Sequence, residues 1–301
     1  MLERFKLQDK KTKNYFEGWY VRVTDITNDF NFAFIFAKTL DETDPHAFIQ
    51  IVNGTTGKNT YLRFDLNQFT YANETVTISS HSLSANKVII NHTEVKVNIT
   101  LSDHDALKQK SAMGILRKMP LECYQEIIYM KAVAKGIVSF KGIKSHLTGT
   151  SYMEKTYGNR FPKSWFWLQA NHFEKHNLKL SLAGGHVPTL KLRPFGFFAI
   201  VHHDDTVYRF ATYNMASFKY VKKDNQVSIR IRRKNMVLML DIHAHRPIKL
   251  VGPIDDGKMM LDVYESLTST VQLTLKQGQT VLVKDHSPYA GFEWMHEDII
   301  K

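Results

Sequence analysis

The sequence predicts an all-β protein, and two observations carry that reading. Short runs of alternating apolar and polar residues recur from end to end, separated by Gly, Asn and Asp turn residues at the strand spacing of a sandwich or barrel. In the second half of the chain, no apolar run has helical spacing over an ordinary helix length.

In order, Trp19–Asp25 leads to Phe32–Thr39 and, through the Asp41–Pro45 turn, to Ala47–Val52. Asn53-Gly54 and Thr56-Gly57 mark a hairpin before Thr60–Phe64. Strands are expected at Thr75–Ser79, Lys87–Asn91 and Glu94–Leu101, the last with Val95, Val97, Ile99 and Leu101 on one face. Asp103–Lys118 breaks the pattern, with room for one or two helical turns before Pro120 or for a crossing loop. Tyr124–Met130 and Ala134–Phe140 are expected to form a hairpin.

The second half continues with Leu178–Leu182, Lys191–His202, Thr206–Thr212, Ser217–Val221, Gln226–Ile231, Met236–His243, Lys258–Tyr264, Ser269–Lys276 and Gln279–Lys284. Turns are expected at Ala183-Gly184-Gly185, Asp204-Asp205 and Lys223-Asp224-Asn225. At 301 residues the chain exceeds the usual single-domain size. Two domains are therefore expected, 1–145 and 146–301.

Composition excludes several classes. Aromatics at 12% and charged residues at 23% describe a globular chain rather than a disordered one. No stretch approaches the ~20 apolar residues of a membrane helix, and residues 1–14 hold no apolar signal core, so a cytoplasmic protein is expected. The Asn-x-Ser/Thr matches at Asn53, Asn73, Asn91 and Asn98 then read as turns and strands. The lone cysteine, Cys123, reads as a small buried hydrophobe.

A net charge of +11 calls for a partner. The aromatics are not interleaved with basic residues as in a nucleic-acid module, so no nucleic acid is expected. The densest cluster, Arg230, Arg232, Arg233 and Lys234, falls on a strand end, with Arg230 and Arg232 on its solvent face. It serves either as a solvated edge or in attraction to an anionic membrane surface.

The chain is organised around Gly149–Asn171, which joins an acid–base pair, Glu154 and Lys155, to three consecutive aromatics. Read as a strand, Trp165, Trp167 and Gln169 share one face, while Phe166 and Leu168 share the other. Two indoles and an amide suit the wall of a small-molecule site, and they equally suit a core strand.

The run YMEKTYGNRFPKSWFWLQAN at Tyr152–Asn171 resembles the central signature of the tocopherol cyclase family, approximately Y-x-E-K-x-W-G-x-x-F-P-x-x-W-F-W-x-Q-x-N. Tyr157 stands where the family has tryptophan. YFEGWY at Tyr15–Tyr20, MG…MPLECY from Met113 to Tyr124, and LVGPIDDGKMMLDVYES at Leu250–Ser266 follow the family's order. The resemblance implies two lipocalin-like antiparallel β-barrels in tandem. It also implies a cofactor-independent cyclase, related in type to carotenoid hydratases, that protonates an alkene of a prenylated quinol or other isoprenoid.

That chemistry requires an acid kept protonated in a dry site and aromatic faces for the carbocation. Glu154 is the first candidate acid and Glu17 the second, with Lys155 or Tyr152 orienting the substrate oxygen. Trp19, Tyr157, Trp165, Trp167, Gln169 and Asn171 complete the expected substrate contacts. The alternative for Glu154 is an ion pair with Lys155 or a neighbouring Arg. Glu122, Glu265 and Glu293 are further carboxylates, each equally suited to tying strands together.

His243 and His245 have the spacing of zinc ligands, but no third ligand is evident and no metal is expected. His202-His203-Asp204-Asp205 reads as a hairpin end, and no phosphate-binding or dinucleotide fingerprint is present. The alternative to an enzyme is a carrier or sensor that holds a hydrophobic isoprenoid or quinone unchanged.

Overall fold

The computed structural model describes residues 2–8, 13–107, 111–186 and 194–295. The chain divides into two compact units. One comprises Met1–Ser111, Glu122–Phe161 and Leu250–Asp262; the other comprises Ala112–Leu121, Pro162–Lys249 and Val263–Lys301. A cut at 145/146 would pass through a strand, since Ile143–Gly158 belongs wholly to the first sheet.

The first unit opens with a short helix, α1 (Leu2–Phe5), and continues with β1 (Phe16–Asp25), β2 (Phe30–Thr39), β3 (His46–Asn53) and β4 (Lys58–Asp65). Then follow β5 (Phe69–Ala72), β6 (Thr75–Ile78), β7 (His81–Ser84), β8 (Lys87–Asn91), β9 (Val95–Asp105), β10 (Cys123–Phe140) and β11 (Ile143–Gly158). The sheet order is β4-β3-β2-β1-β11-β10-β9-β8-β7-β6-β5. Every strand lies beside its chain neighbour except at the β4/β5 seam, where a 3-10 turn at Leu66–Gln68 joins the two ends. Trp19 of β1 reaches the rings of Phe69 and Tyr71 on β5, with centroids 6.4 Å apart in each case, so the sheet rolls round its own core.

Alternation builds that core. On β1, Trp19, Val21 and Val23 point inward, and on β2 so do Phe30, Phe32, Phe34 and Phe36. The outward positions of this patch are also buried in part: Arg22 is 2% exposed and Gln50 2%. Gln50 clamps the Leu250–Asp262 segment, donating to the Val251 carbonyl and accepting from its amide, both at 2.9 Å.

The second unit holds β12 (Trp165–Ala170), β13 (Leu178–His186), β14 (Phe195–His203), β15 (Thr206–Ala211), β16 (Ser217–Lys223), β17 (Gln226–Arg233) and β18 (Met236–His243). β20 (Met259–Gln277) and β21 (Thr280–Met295) complete the sheet order β15-β14-β13-β12-β21-β20-β18-β17-β16, and β19 (Ile248–Pro253) pairs with β20; Leu250–Pro253 of β19 and Met259–Asp262 of β20 belong to the first unit. Here too the ends of the path, β15 and β16, are consecutive and joined by a 3-10 turn, Thr212–Asn214. The Phe166 ring of β12 stacks on Phe218 of β16 at 4.9 Å across the curl. One sheet forms a nearly closed barrel and the other a curled half-barrel, the architecture of tandem lipocalin-like barrels.

Several local expectations differ from the structure. The hairpin expected between Tyr124 and Phe140 is one 18-residue strand, β10. Its irregularities are register shifts between Ile127, Tyr129 and Ala132, because Lys131-Ala132-Val133 has no turn former and a bulge bends the strand instead. Lys258–Tyr264 and Ser269–Lys276 likewise merge into the 19-residue β20, bulged between Ser266 and Val271. The break at Asp103–Lys118 contains the end of β9 and a 3-10 turn at Gly114–Lys118, with no α-helix among its described residues. The first residues of the strand expected at Lys191–His202, 191–193, lie outside the described residues.

Ala183-Gly184-Gly185 is not a turn but the continuation of β13. A Cβ on Gly184 would sit 2.6 Å from both Phe166 Cζ and Phe197 Cβ, and one on Gly185 would sit 2.4 Å from the Ser164 carbonyl oxygen. These glycines serve close approach. Gly184→Ala is therefore expected to lower stability by about 1–3 kcal/mol through overpacking, read from the urea midpoint. An unchanged midpoint would mean that the two rings yield freely.

Candidate functional site

The signature places Glu154 and Lys155 side by side on β11, and a strand sends consecutive side chains to opposite faces. Lys155 points inward, opposite Trp19 on β1 and Glu126 on β10. Its ammonium pairs with the Glu17 carboxylate at 3.0 Å, both side chains being fully buried. It also donates to the Lys6 carbonyl and lies 5.0 Å from the Tyr157 ring centre and 5.7 Å from that of Trp19.

Glu17 accepts further bonds from the Gln8 amide, at 3.0 and 3.1 Å, and from the Tyr15 hydroxyl at 3.2 Å. Burial, and then the charge of Glu17, hold the Tyr15 phenol far above its ordinary range. The Trp19 indole donates to the Phe5 carbonyl at 2.8 Å, and Arg4 donates to the carbonyls of Leu107 and Ile127. This cluster seats the N-terminal segment as a plug in one end of the first barrel. Glu17, expected as the second acid, and Lys155 are thus both spent on holding the N-terminal segment, and both read here as structural. Tyr157 stacks on Tyr124 at 5.1 Å. With Trp19, it belongs to this interior cluster.

Glu154 points to the other face of β11, away from the barrel core, and is 7% exposed. Its Oε2 accepts from the Tyr152 hydroxyl at 2.5 Å and from the Gln125 amide at 2.8 Å. The alternative ion pair with Lys155 is thus excluded by the strand's own geometry. A carboxyl protonated on Oε1 retains both bonds to Oε2.

In the second unit, Phe166, Leu168 and Ala170 of β12 face the core. Trp165, Trp167 and Gln169 face the opposite way, yet are 7%, 5% and 0% exposed. The Trp165 indole donates to Glu293 on β21 at 2.7 Å. In register, Trp167 faces Glu293, and Glu293 in turn faces Glu265 on β20, which is fully buried. Ser181 and Gln169 are likewise cross-strand partners, both fully buried. Asn171, just past the end of β12, is 5% exposed. Glu154 and Tyr152 therefore belong to one sheet, and Trp165, Trp167 and Gln169 to the other.

Sequence reasoning missed Gln125 and Glu126, whose signal was their place on β10 opposite the signature. It also left unassigned the indole partner of Glu293. Glu122 is partly exposed and pairs with Arg160 at 3.5 Å. Burial pushes the Cys123 thiol up to about 12, which leaves an unreactive thiol. His243 and His245 pack ring to ring at 4.3 Å, and His243 Nε2 meets the Asn225 amide. Among the described residues, no three His, Cys, Asp or Glu side chains gather as a metal site would require.

The profile of the family described as "Tocopherol cyclase-like" matches residues 85–294. A protein of Oryza sativa subsp. japonica named "Probable tocopherol cyclase, chloroplastic" is 33% identical over 82 residues, 26% of this chain. That match spans only 17% of the rice protein's length. Among solved structures, a protein of Nitrosomonas europaea described as AttH has a TM-score of 0.56 at 15% identity, covering 92% of this chain and 91% of its own. Kievitone hydratase from Nectria haematococca has a TM-score of 0.52 at 13% identity, covering 92% and 88%. These likenesses are of fold.

If the Glu17–Lys155 pair is structural, Glu17→Gln should cost about 3–5 kcal/mol in urea unfolding, because it strands a buried ammonium. Glu17→Leu with Lys155→Met should recover most of that loss. Equal losses in both variants would contradict the assignment.

Proposed function

Since the chain belongs to the tocopherol cyclase-like family, we propose that it is an enzyme that protonates an alkene of an isoprenoid ligand, such as a prenylated quinol, and closes or hydrates it. The observation that supports this reading is the buried Glu154 carboxyl, held by the Tyr152 phenol and the Gln125 amide. In the proposed step Glu154 gives its proton to the less substituted alkene carbon, and the π pair forms the new C–H bond. The tertiary cation is then captured by a phenol oxygen, closing a ring, or by water. The proton released on capture returns to the Glu154 carboxylate, so the cycle balances without a cofactor.

Tyr152, in contact with Glu154, is the residue proposed to orient the substrate oxygen. The indole faces of Trp165 and Trp167 have the chemistry to stabilise a cation. A carrier that holds such a lipid unchanged is the competing reading.

Glu154→Gln keeps the shape and the acceptor oxygen but cannot deliver a proton. Turnover of a prenyl quinol, followed by mass spectrometry of the extracted lipid, should fall about 10²–10⁴-fold. Melting temperature and ligand retention should hold. Undiminished turnover would remove Glu154 from the mechanism, while bound lipid recovered unchanged from the parent protein would favour the carrier.

We also propose a cytoplasmic protein that works at an anionic membrane surface. Lys219, Lys223, Arg230 and Arg232 share the exposed face of β16 and β17, and Lys219 faces Arg230 across the strands. Val221 between the lysines is 71% exposed, and Met215 just before β16 is 88% exposed. Each cation near such a surface contributes about 1 kcal/mol. Lys219→Glu, Arg230→Glu and Arg232→Glu together should abolish flotation with phosphatidylserine vesicles. Equal flotation on neutral vesicles, or tight salt-sensitive DNA binding, would reverse this reading.

A further inference from the structure

At the end of the first barrel away from the N-terminal plug lies a cavity of about 330 Å³, within the size range of small-molecule sites. Phe32, Ile51, Val95 and Phe140 form its apolar floor, and the Phe140 ring meets Phe32 edge-on at 5.4 Å. The inward rings of β2 explain why the space lies here. Phe34 and Phe36 pack into the core behind Phe32. In register, Phe32 stands beside Val23, four residues along β1 from Trp19, so the plug cluster is roughly 13 Å away.

The rim is cationic. Lys58 opens β4 and faces Asn53, which in turn faces Phe32, so its stem runs along the inner wall. Lys141 lies in the β10–β11 hairpin with its ammonium 5.3 Å from the Phe140 ring centre. Among the described residues neither lysine makes an ion pair, and Glu94 is the one carboxylate in the lining. His92 and Thr60 add polar groups to the wall.

An apolar floor beneath cations matches a molecule with an anionic head and a single apolar tail. A neutral lipid would leave the two cations unanswered, and a small anion would leave the floor wet. At about 30 Å³ per water-sized group, the volume holds roughly ten to twelve heavy atoms. We propose that the mouth of the first barrel binds a single-chain anionic amphiphile, such as a medium-chain fatty carboxylate, head outward between Lys58 and Lys141. This site is separate from Glu154, which faces away from the barrel core, and it stands whether or not Glu154 is an acid.

Isothermal titration of the full chain with decanoate, decanol and acetate tests the proposal. Decanoate should bind saturably at one site, acetate should not bind, and decanol should bind about tenfold or more weakly. Lys58→Glu with Lys141→Glu, on the exposed rim, should weaken decanoate about tenfold or more and leave decanol unchanged. Thr60→Trp, which points a large ring into the cavity from opposite Ile51, should weaken both. Melting curves check that each variant is folded, and the rim variant alone suffices if Thr60→Trp is not. No saturable decanoate binding, or decanoate binding that survives the rim charge reversal, would overturn the site.

Discussion

Two charges buried side by side inside an apolar barrel determine how the start of this chain is held. Removing an ammonium and a carboxylate from water costs several kcal/mol per ion. Attraction at 3.0 Å offsets that only when the remaining donors and acceptors are also met. Here they are met by the N-terminal segment, through the Gln8 amide and the Lys6 carbonyl. The pair and the plug thus depend on each other. Without the plug, Glu17 and Lys155 would lose partners; without the pair, residues 6 and 8 would have little to bind in an interior of tryptophan and phenylalanine.

The same pair decides what Glu154 is able to do. Lys155 is committed to the interior, so the two neighbours in sequence lie on opposite faces of β11. On the outward face the Glu154 Oε2 accepts from a phenol and an amide. A carboxyl on this face is therefore free to keep the phenol and amide bonds to one oxygen while the other carries a proton. The acid–base doublet of the signature is therefore not a doublet in space. It is one structural residue and one candidate for chemistry, separated by the thickness of a strand.

Much of this was legible in the sequence, and the losses have physical causes. Alternation located Met236–His243 and Lys87–Asn91 to the residue, and it divided Trp165, Trp167 and Gln169 from Phe166 and Leu168 correctly. It missed the unbroken lengths of β10 and β20, because a bulge disturbs the period as a turn does while needing no turn residue. Gly184-Gly185 looked like a turn because glycine permits both tight bends and close packing, and only the facing rings distinguish them. Residues before Tyr15 carried no periodic signal. Arg4 and Phe5 are placed by partners more than a hundred residues away or inside the barrel, which no local pattern reports. For the same reason Gln125 went unseen: its role exists only once β10 lies against β11.

The two units share one plan, which sharpens the contrast between their polar residues. In each, the fourth and fifth strands are consecutive yet stand at opposite ends of the sheet, joined by a 3-10 turn. In each, the first strand lies beside the last, β1 against β11 and β12 against β21. On these matching strands a tryptophan faces a charged residue, Trp19 with Lys155 and Trp167 with Glu293. The first pair points into its barrel, whereas the second points out, since Phe166 and Leu168 hold the inward positions of β12. A shift of one residue is enough to move a side chain from one face to the other. The first unit therefore spends its tryptophan and lysine on holding a plug. The second keeps an entirely apolar interior on this strand and carries its indoles, amide and carboxylates on the opposite face. Glu154 is on the outward face of its own sheet as well. Side chains that point away from the barrel interior answer to different neighbours from those of the core, and in both units the signature places its polar residues and indoles there, although they are buried.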